Sequence, residues 1–326
     1  MKTFSTTYLG LKLNNPIVAS SSGLTGSIEK IKDLERAGVG AVVLKSLFEE
    51  QIMQNSEELL QAKGDYTEAA DYIKNFVQAK NVTDYLQLVT GAKRKTALPV
   101  IASINCRKAG EWENFARQIE LAGADAIELN LFMLNTDKDG DSNAAEQEQV
   151  EIVRRVVGTV NIPVAVKIGR QYTNLVSFSE RLAAAGARGI TLFNRYYQPD
   201  IDLETLKVKQ GEVFSSPAEF ADTLRWTALV SGRVKHVDIA SSAGVYGWEY
   251  ALKAILAGAQ AVQMCSAIYQ KGSRIIPETL TGMEHWLKKQ GYYSLNEIRG
   301  KLSYSNIADR SIYERVQFMR YYSARE

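Results

Sequence analysis

The chain is expected to be an α/β protein that closes as a (β/α)8 barrel, and three features of its 326 residues carry that expectation. One is a degenerate repeat in which a helix-length segment ends in Ala-Gly and a short apolar run follows. It recurs as ERAGVGAVVLK (35–45), ELAGADAIELN (120–130), AAAGARGITLFN (183–194) and ILAGAQAVQMC (255–265). Another is a set of runs between these, opened by proline or a basic residue: NPIVASSSG (15–23), LPVIASINC (98–106), IPVAVKIG (162–169) and VKHVDIASSAG (234–244). Together they make about eight candidate strands, the number a closed parallel barrel needs. The third is that none of the runs alternates cleanly between polar and apolar, as expected of strands covered on both faces.

The elements follow in order on the same logic. Glycine after each helical segment can take the left-handed conformation that ends a helix. The segments SIEKIKDLERAG (27–38), ENFARQIELAG (113–123) and LVSFSERLAAAG (175–186) repeat apolar residues at three and four, so each can lay one stripe on a barrel exterior. A doubly wound open sheet is the competing arrangement, but no GxGxxG follows the first strand. The expectation is therefore a single TIM barrel domain over 1–326, with two long loops at the catalytic face. Residues 47–97 exceed one crossover and suggest an inserted helical lid, and 195–231 suggest an irregular loop or hairpin before another helix. The stretch 303–326 is a Tyr- and Arg-containing tail, expected as a terminal helix or an oligomer contact.

Composition narrows the function classes. With 39 basic against 37 acidic side chains there is no polyanion-binding balance, so no nucleic-acid partner is expected. The longest apolar runs are strand-length and MKTFSTTYLG lacks a signal-peptide core, so a cytoplasmic protein with no membrane partner is expected. Two cysteines and two histidines give neither a disulfide framework nor a metal site.

In a parallel barrel the C-terminal ends of all strands share one mouth. Those ends carry Ser20, Ser21 and Ser22; Lys45 and Ser46; Asn105; Asn130; Lys167; Asn194; Ser241 and Ser242; Cys265 and Ser266. A lone lysine at a strand end is usually a surface residue, but two lysines with two asparagines favour an electron-rich ligand with carbonyls or an anionic ring. SSAGVYG (241–247) and CSAIYQKG (265–272) follow the last two strands, where such barrels bind phosphate. Their plainer reading is a tight turn and a helix cap at Ser266.

In this order, from NPIVASSSG to SLNEIRGKL (294–302), the motifs resemble the dihydroorotate dehydrogenase family of flavin mononucleotide (FMN) barrels. LKSLFEEQI (44–52) and LFNRYYQPDIDLE (192–204) look closest to its dihydroorotate dehydrogenase-like branch. The resemblance implies FMN contacts at Ser21, Ser22, Gly23, Lys45, Ser46, Asn130, Lys167, Ala243, Gly244, Cys265 and Ser266. It implies substrate contacts at Lys45, Asn135 and Asn194, a small-molecule substrate, and a possible homodimer. Lys167 would stabilise negative charge on a reduced flavin, and Lys45 a substrate carboxylate or carbonyl.

Two departures stand out. The family follows its ELN with Ser-Cys-Pro-Asn or Ser-Ser-Pro-Asn, whose second residue is the base. Here Phe132, Met133, Leu134 and Asn135 stand there, and methionine cannot remove a proton. The family's orotate-gripping loop has no counterpart within 47–97. Tyr196, Tyr197, Glu49, Glu50 and Cys106 are candidate replacement bases, although for each a structural role is the readier reading. Three functional readings follow: an FMN-dependent CH–CH oxidoreductase, an FMN-binding barrel without dihydroorotate turnover, and a Schiff-base aldolase using Lys45 or Lys167 on a phosphorylated metabolite.

Overall fold

The computed structural model describes residues 4–48, 67–105, 111–131, 133–134, 136–196 and 198–315, with 48 and 67–79 as backbone only. The chain opens with a hairpin, β1 (Thr6–Tyr8) and β2 (Leu11–Leu13), followed by β3 (Ile17–Ala19), α1 (Ile28–Ala37), β4 (Ala41–Val43) and β5 (Leu47–Phe48). Next come α2 (Thr67–Lys95), β6 (Val100–Asn105), α3 (Glu111–Leu121), β7 (Ala126–Leu131), α4 (Ser142–Val157), β8 (Val164–Ile168), α5 (Leu175–Ala184) and β9 (Gly189–Leu192). A second hairpin, β10 (Pro199–Asp202) and β11 (Lys207–Gln210), precedes α6 (Phe220–Arg233), β12 (Asp238–Ser241), α7 (Trp248–Ala257) and β13 (Ala261–Met264). The chain then runs through α8 (Ser266–Lys271), α9 (Ile275–Gln290) and α10 (Ser311–Glu314).

Eight parallel strands close on themselves in the order β3, β4, β6, β7, β8, β9, β12, β13 and back to β3. The eight runs of the repeat supply these eight strands, which excludes the open sheet. The glycines of the repeat act as expected, with Gly38, Gly123, Gly186 and Gly258 all at positive φ. In α1 the Ser27 hydroxyl accepts from the Lys30 N–H at the start, and Ile31 and Leu34 turn inward. Such a cap contributes about 1 kcal/mol, and each buried aliphatic roughly 2 kcal/mol.

Alternation along each strand sorts side chains into two layers. Outward residues such as Ile17, Val42, Ile127 and Val166 pack under the helices, and inward Val18, Val43, Ala126, Ala165, Ala240 and Ala261 form a separate inner cluster. Inside that cluster lie Tyr8, Leu9 and Leu13 of the first hairpin, which fills the barrel floor. Small inward residues make the room. A methyl group added at Gly189 would lie 2.5 Å from the Leu9 side chain.

Of 47–97, residues 49–66 lie outside the described residues, as do Glu49 and Glu50. The C-terminal half of α2 buries Val82, Tyr85, Val89 and Ala92 against the barrel wall and is the crossover helix between β4 and β6, while the stretch expected as a lid falls mainly outside the described residues. In 195–231, the hairpin β10–β11 and the segment 211–219 lead into α6, which is again a crossover helix. Part of the tail is described: Arg233 on α6 holds Glu314 of α10 at 2.8 Å. Among the described residues no helix is long and apolar enough to cross a membrane, and no metal-ligating cluster occurs.

Candidate active site

Above the apolar floor the inward positions turn polar. Tyr8 OH lies 3.5 Å from Thr191 Oγ1, and Thr191 donates to Glu128 Oε2 at 2.9 Å. Gln263 Nε2 donates to the same carboxylate oxygen at 2.6 Å. The carbonyl end of that amide accepts from Lys167 Nζ and Ser20 Oγ, each at 3.0 Å, and Lys167 also donates to Ser20 Oγ at 3.0 Å. An ammonium has three N–H bonds. Two are used here, and the third finds no protein acceptor among the described residues.

Lys167 lies on the shared wall of two clefts. One, of about 260 Å³, is lined by Ser21, Ser22, Gly23, Lys45, Ser46, Ser103, Glu128, Asn130, Asn194 and Arg195. The other, of about 140 Å³, runs towards Ser215, Ser242, Ala243, Gly244, Cys265 and Ser266. Parallel register sets Asn130 directly beside Lys167. Asn194 Nδ2 donates to Asn130 Oδ1 at 2.6 Å, Asn105 donates to the Asn130 carbonyl at 3.0 Å, and Asn194 in turn accepts from the Arg195 N–H.

Lys45 and Ser46 reach the cleft because the ladder breaks there. The neighbour of β6 changes from β4, at Val43↔Ile101, to β5, at Leu47↔Ile104. Between them Tyr85 of α2 fills the gap: its hydroxyl donates to the Ser103 carbonyl at 2.8 Å and accepts from the Ser103 N–H at 2.7 Å. Both Ser103 backbone groups on the side where the ladder is broken are satisfied, so the chain between β4 and β5 can leave the strand line. Ser46 Oγ then links Ser103 Oγ at 2.7 Å to Ser21 Oγ at 3.0 Å, while the Lys45 side chain remains exposed at the rim.

The second cleft is framed by a tight turn and a crossing segment. Ala243 and Gly244 both have φ of +74°, a tight left-handed turn at the end of β12. A side chain at 244 would collide with the Phe220 backbone. The segment 211–219 crosses this cleft as a strap: Ser215 N and Oγ both donate to Ser266 Oγ, and Gly244 N donates to Ser215 Oγ at 3.3 Å. Tyr246 OH also donates to the Ser215 carbonyl. Arg195 clasps the strap from the other side, donating to the carbonyls of Glu212 and Val213 at 2.6 and 2.9 Å and pairing with Glu219. The cap of α8 is Cys265, not Ser266 as the plain reading had it, because the Ser266 hydroxyl is taken by the strap.

Every described residue that the resemblance marked for FMN or substrate lines one of these two clefts. Asn135 lies outside the described residues, as do Phe132 and the candidate bases Tyr197 and Cys106. Met133 is half-buried against the outer core. Tyr196 OH donates to its carbonyl at 3.4 Å, and burial raises that phenol above its ordinary value, which works against a base role. Burial likewise pushes the Cys265 thiol up, against the hydrogen bond of Ser22 and the charge of Lys167.

A reading of strand ends does not reach Ser103, Glu128, Thr191 and Gln263, which lie one inward step lower. Each is a polar residue two positions from another inward-facing one, and that period is the available signal. Such a reading also misses Arg195, Ser215 and Tyr85, for which the sequence offers no comparable signal.

Comparisons with known proteins identify the family. The family model described as dihydroorotate dehydrogenase matches residues 3–287. An Aeropyrum pernix protein provisionally named dihydroorotate dehydrogenase A (fumarate) is 30% identical over 89% of this chain and 94% of its own length. The catalytic subunit of dihydroorotate dehydrogenase B (NAD(+)) of Thermoplasma acidophilum is 25% identical over 92% of this chain and 99% of its own. The NAD-dependent dihydropyrimidine dehydrogenase subunit PreA of Escherichia coli (strain K12) is 26% identical over 97% of this chain and 82% of its own. With matched residues that reach from the floor hairpin to α9, the chain belongs to the dihydroorotate dehydrogenase family.

Proposed function

We propose that this chain is an FMN-dependent oxidoreductase acting on a CH–CH bond of a small ring that bears carbonyl or carboxylate groups. The observation that carries this reading is the buried Lys167 ammonium, with one N–H unused, on the wall between the strap-crossed cleft and the wider polar one. The residues fit the cofactor. The Gly244 N–H with the Ser215 and Ser266 hydroxyls suits a phosphate, and Lys167 with Asn130 suits the electron-rich end of the ring. When bound, FMN would supply two-electron acceptor and donor chemistry. The protein would hold the ring against the polar layer, offer Lys45 to an anionic substrate group, and exclude water on the side closed by the strap.

Met133 separates this chain from dihydroorotate chemistry as the family resemblance describes it, because a thioether holds no transferable proton. Any CH–CH oxidation here must pass the ring proton to solvent or to a group other than residue 133, and the name of the Escherichia coli relative makes dihydropyrimidines without the carboxylate the next ring to try. Met133 also favours the second reading, an FMN-binding barrel that does not turn dihydroorotate over.

Purified protein reconstituted with FMN and dialysed should keep a flavin spectrum. Under anaerobic conditions a dihydropyrimidine should bleach it and dihydroorotate should do so slowly or not at all. Rapid bleaching by dihydroorotate would overturn the assignment of Met133. A colourless protein that borohydride traps with a sugar phosphate would replace the flavin reading by the Schiff-base one.

A further inference from the structure

We propose that Glu128 is a positioning residue for the Lys167 ammonium, acting through the side-chain amide of Gln263. Glu128 does not touch Lys167. Its Oε2 receives the Gln263 Nε2 hydrogen bond at 2.6 Å and the Thr191 hydroxyl at 2.9 Å, and the other end of the Gln263 amide receives Lys167 at 3.0 Å. The amide therefore stands between a carboxylate and an ammonium with its dipole aligned to both. Turned over, it would set NH2 against NH3⁺ and a carbonyl against the carboxylate, two repulsions in a buried site. A charge-assisted bond to Glu128 fixes the favourable orientation and with it one of the two anchors of Lys167.

Packing does not account for this carboxylate. Glu128 is 1% exposed and its Oε1 has no hydrogen-bond partner. A buried charge with half its acceptor capacity unused costs stability, and a hydrophobic residue of that volume would avoid the cost. It also lines the wider cleft beneath Lys45 and Asn130, where its charge opposes that of the lysines. The relay links the polar layer to the ammonium that the flavin reading puts against the ring, and its catalytic consequence rests on that reading.

The test separates the relay from the cofactor. In FMN-free protein with 15N-labelled lysine side chains, the Lys167 ammonium protons should exchange slowly with solvent. Gln263→Met and Glu128→Met should each accelerate exchange about tenfold or more. The double variant should be no faster than either single one, because both break the same chain of bonds. Glu128→Gln, which keeps the side-chain shape and a neutral acceptor, should fall between wild type and Glu128→Met. It keeps the proposal falsifiable where the methionine variant does not fold. Wild-type exchange in both Glu128 variants, or additive effects in the double one, overturns the relay whether or not FMN binds. In FMN-loaded protein, Gln263→Met should weaken the preference for reduced over oxidised flavin about tenfold, a fall of about 30 mV in a two-electron potential. A protein that takes up no FMN refutes the cofactor reading and leaves the exchange result to decide the relay.

Discussion

Cys265 closes β13 with its thiol held above its ordinary value by burial, while Ser22 and Lys167 pull the other way. A raised thiol carries less thiolate at any pH below its titration point, and only the thiolate is the nucleophile. Peptide-resolved alkylation of Cys265 near pH 8 should be slower than that of free cysteine, and should still be rising with pH where free cysteine has levelled off. Lys167→Met should slow it further by removing a cation that favours the thiolate. Alkylation as fast as that of free cysteine would mean the thiol is not shielded as described. Individual residues were legible in the sequence where their strand position was: Lys167, Asn130, Asn194 and Ser266 were found by asking what stands at strand ends. Glu128 and Gln263 went unseen one step lower, although they decide how Lys167 is held.

At the scale of the element, the break between β4 and β5 shows a helix side chain doing the work of a strand. Tyr85 of α2 binds both backbone groups of Ser103 and so permits the departure from the strand line that presents Lys45 and Ser46. Tyr85→Phe leaves a buried N–H and a buried carbonyl without partners. That should cost about 2 kcal/mol and lower the melting temperature by a few degrees. The cleft should suffer as well, since Ser103 Oγ is a hydrogen-bond partner of Ser46. An unchanged melting temperature would show that water or a neighbour replaces the phenol. The helix-closing glycines and the apolar runs made eight barrel strands readable, because each repeat states the same local instruction. The floor hairpin was not readable, since three-residue strands such as TTY and LKL carry too little periodicity to stand out.

For the whole molecule, barrel closure brings residues from every part of the chain to one mouth, so a ligand there should report on global stability. FMN should raise the melting temperature in a concentration-dependent way, with stabilisation of about 2.7 kcal/mol at a hundredfold excess over Kd. Riboflavin, which lacks the phosphate, should stabilise far less on the proposed phosphate role of the cleft that Gly244, Ser215 and Ser266 line. Equal effects of the two flavins would remove the phosphate role from the strap cleft. The strap explains why this half of the site was only partly legible. Ser215 meets Ser266 across 51 residues, and closure of the barrel makes them neighbours where no local pattern does.

The filled floor has a consequence for traffic. Tyr8 and Leu9 occupy the lower barrel, so the pocket is a cul-de-sac and Lys167 cannot be approached from beneath. Whatever visits that ammonium arrives and departs on the side of the strand ends. A first visitor must therefore leave, or lie deep enough to serve as the surface on which the second one lands.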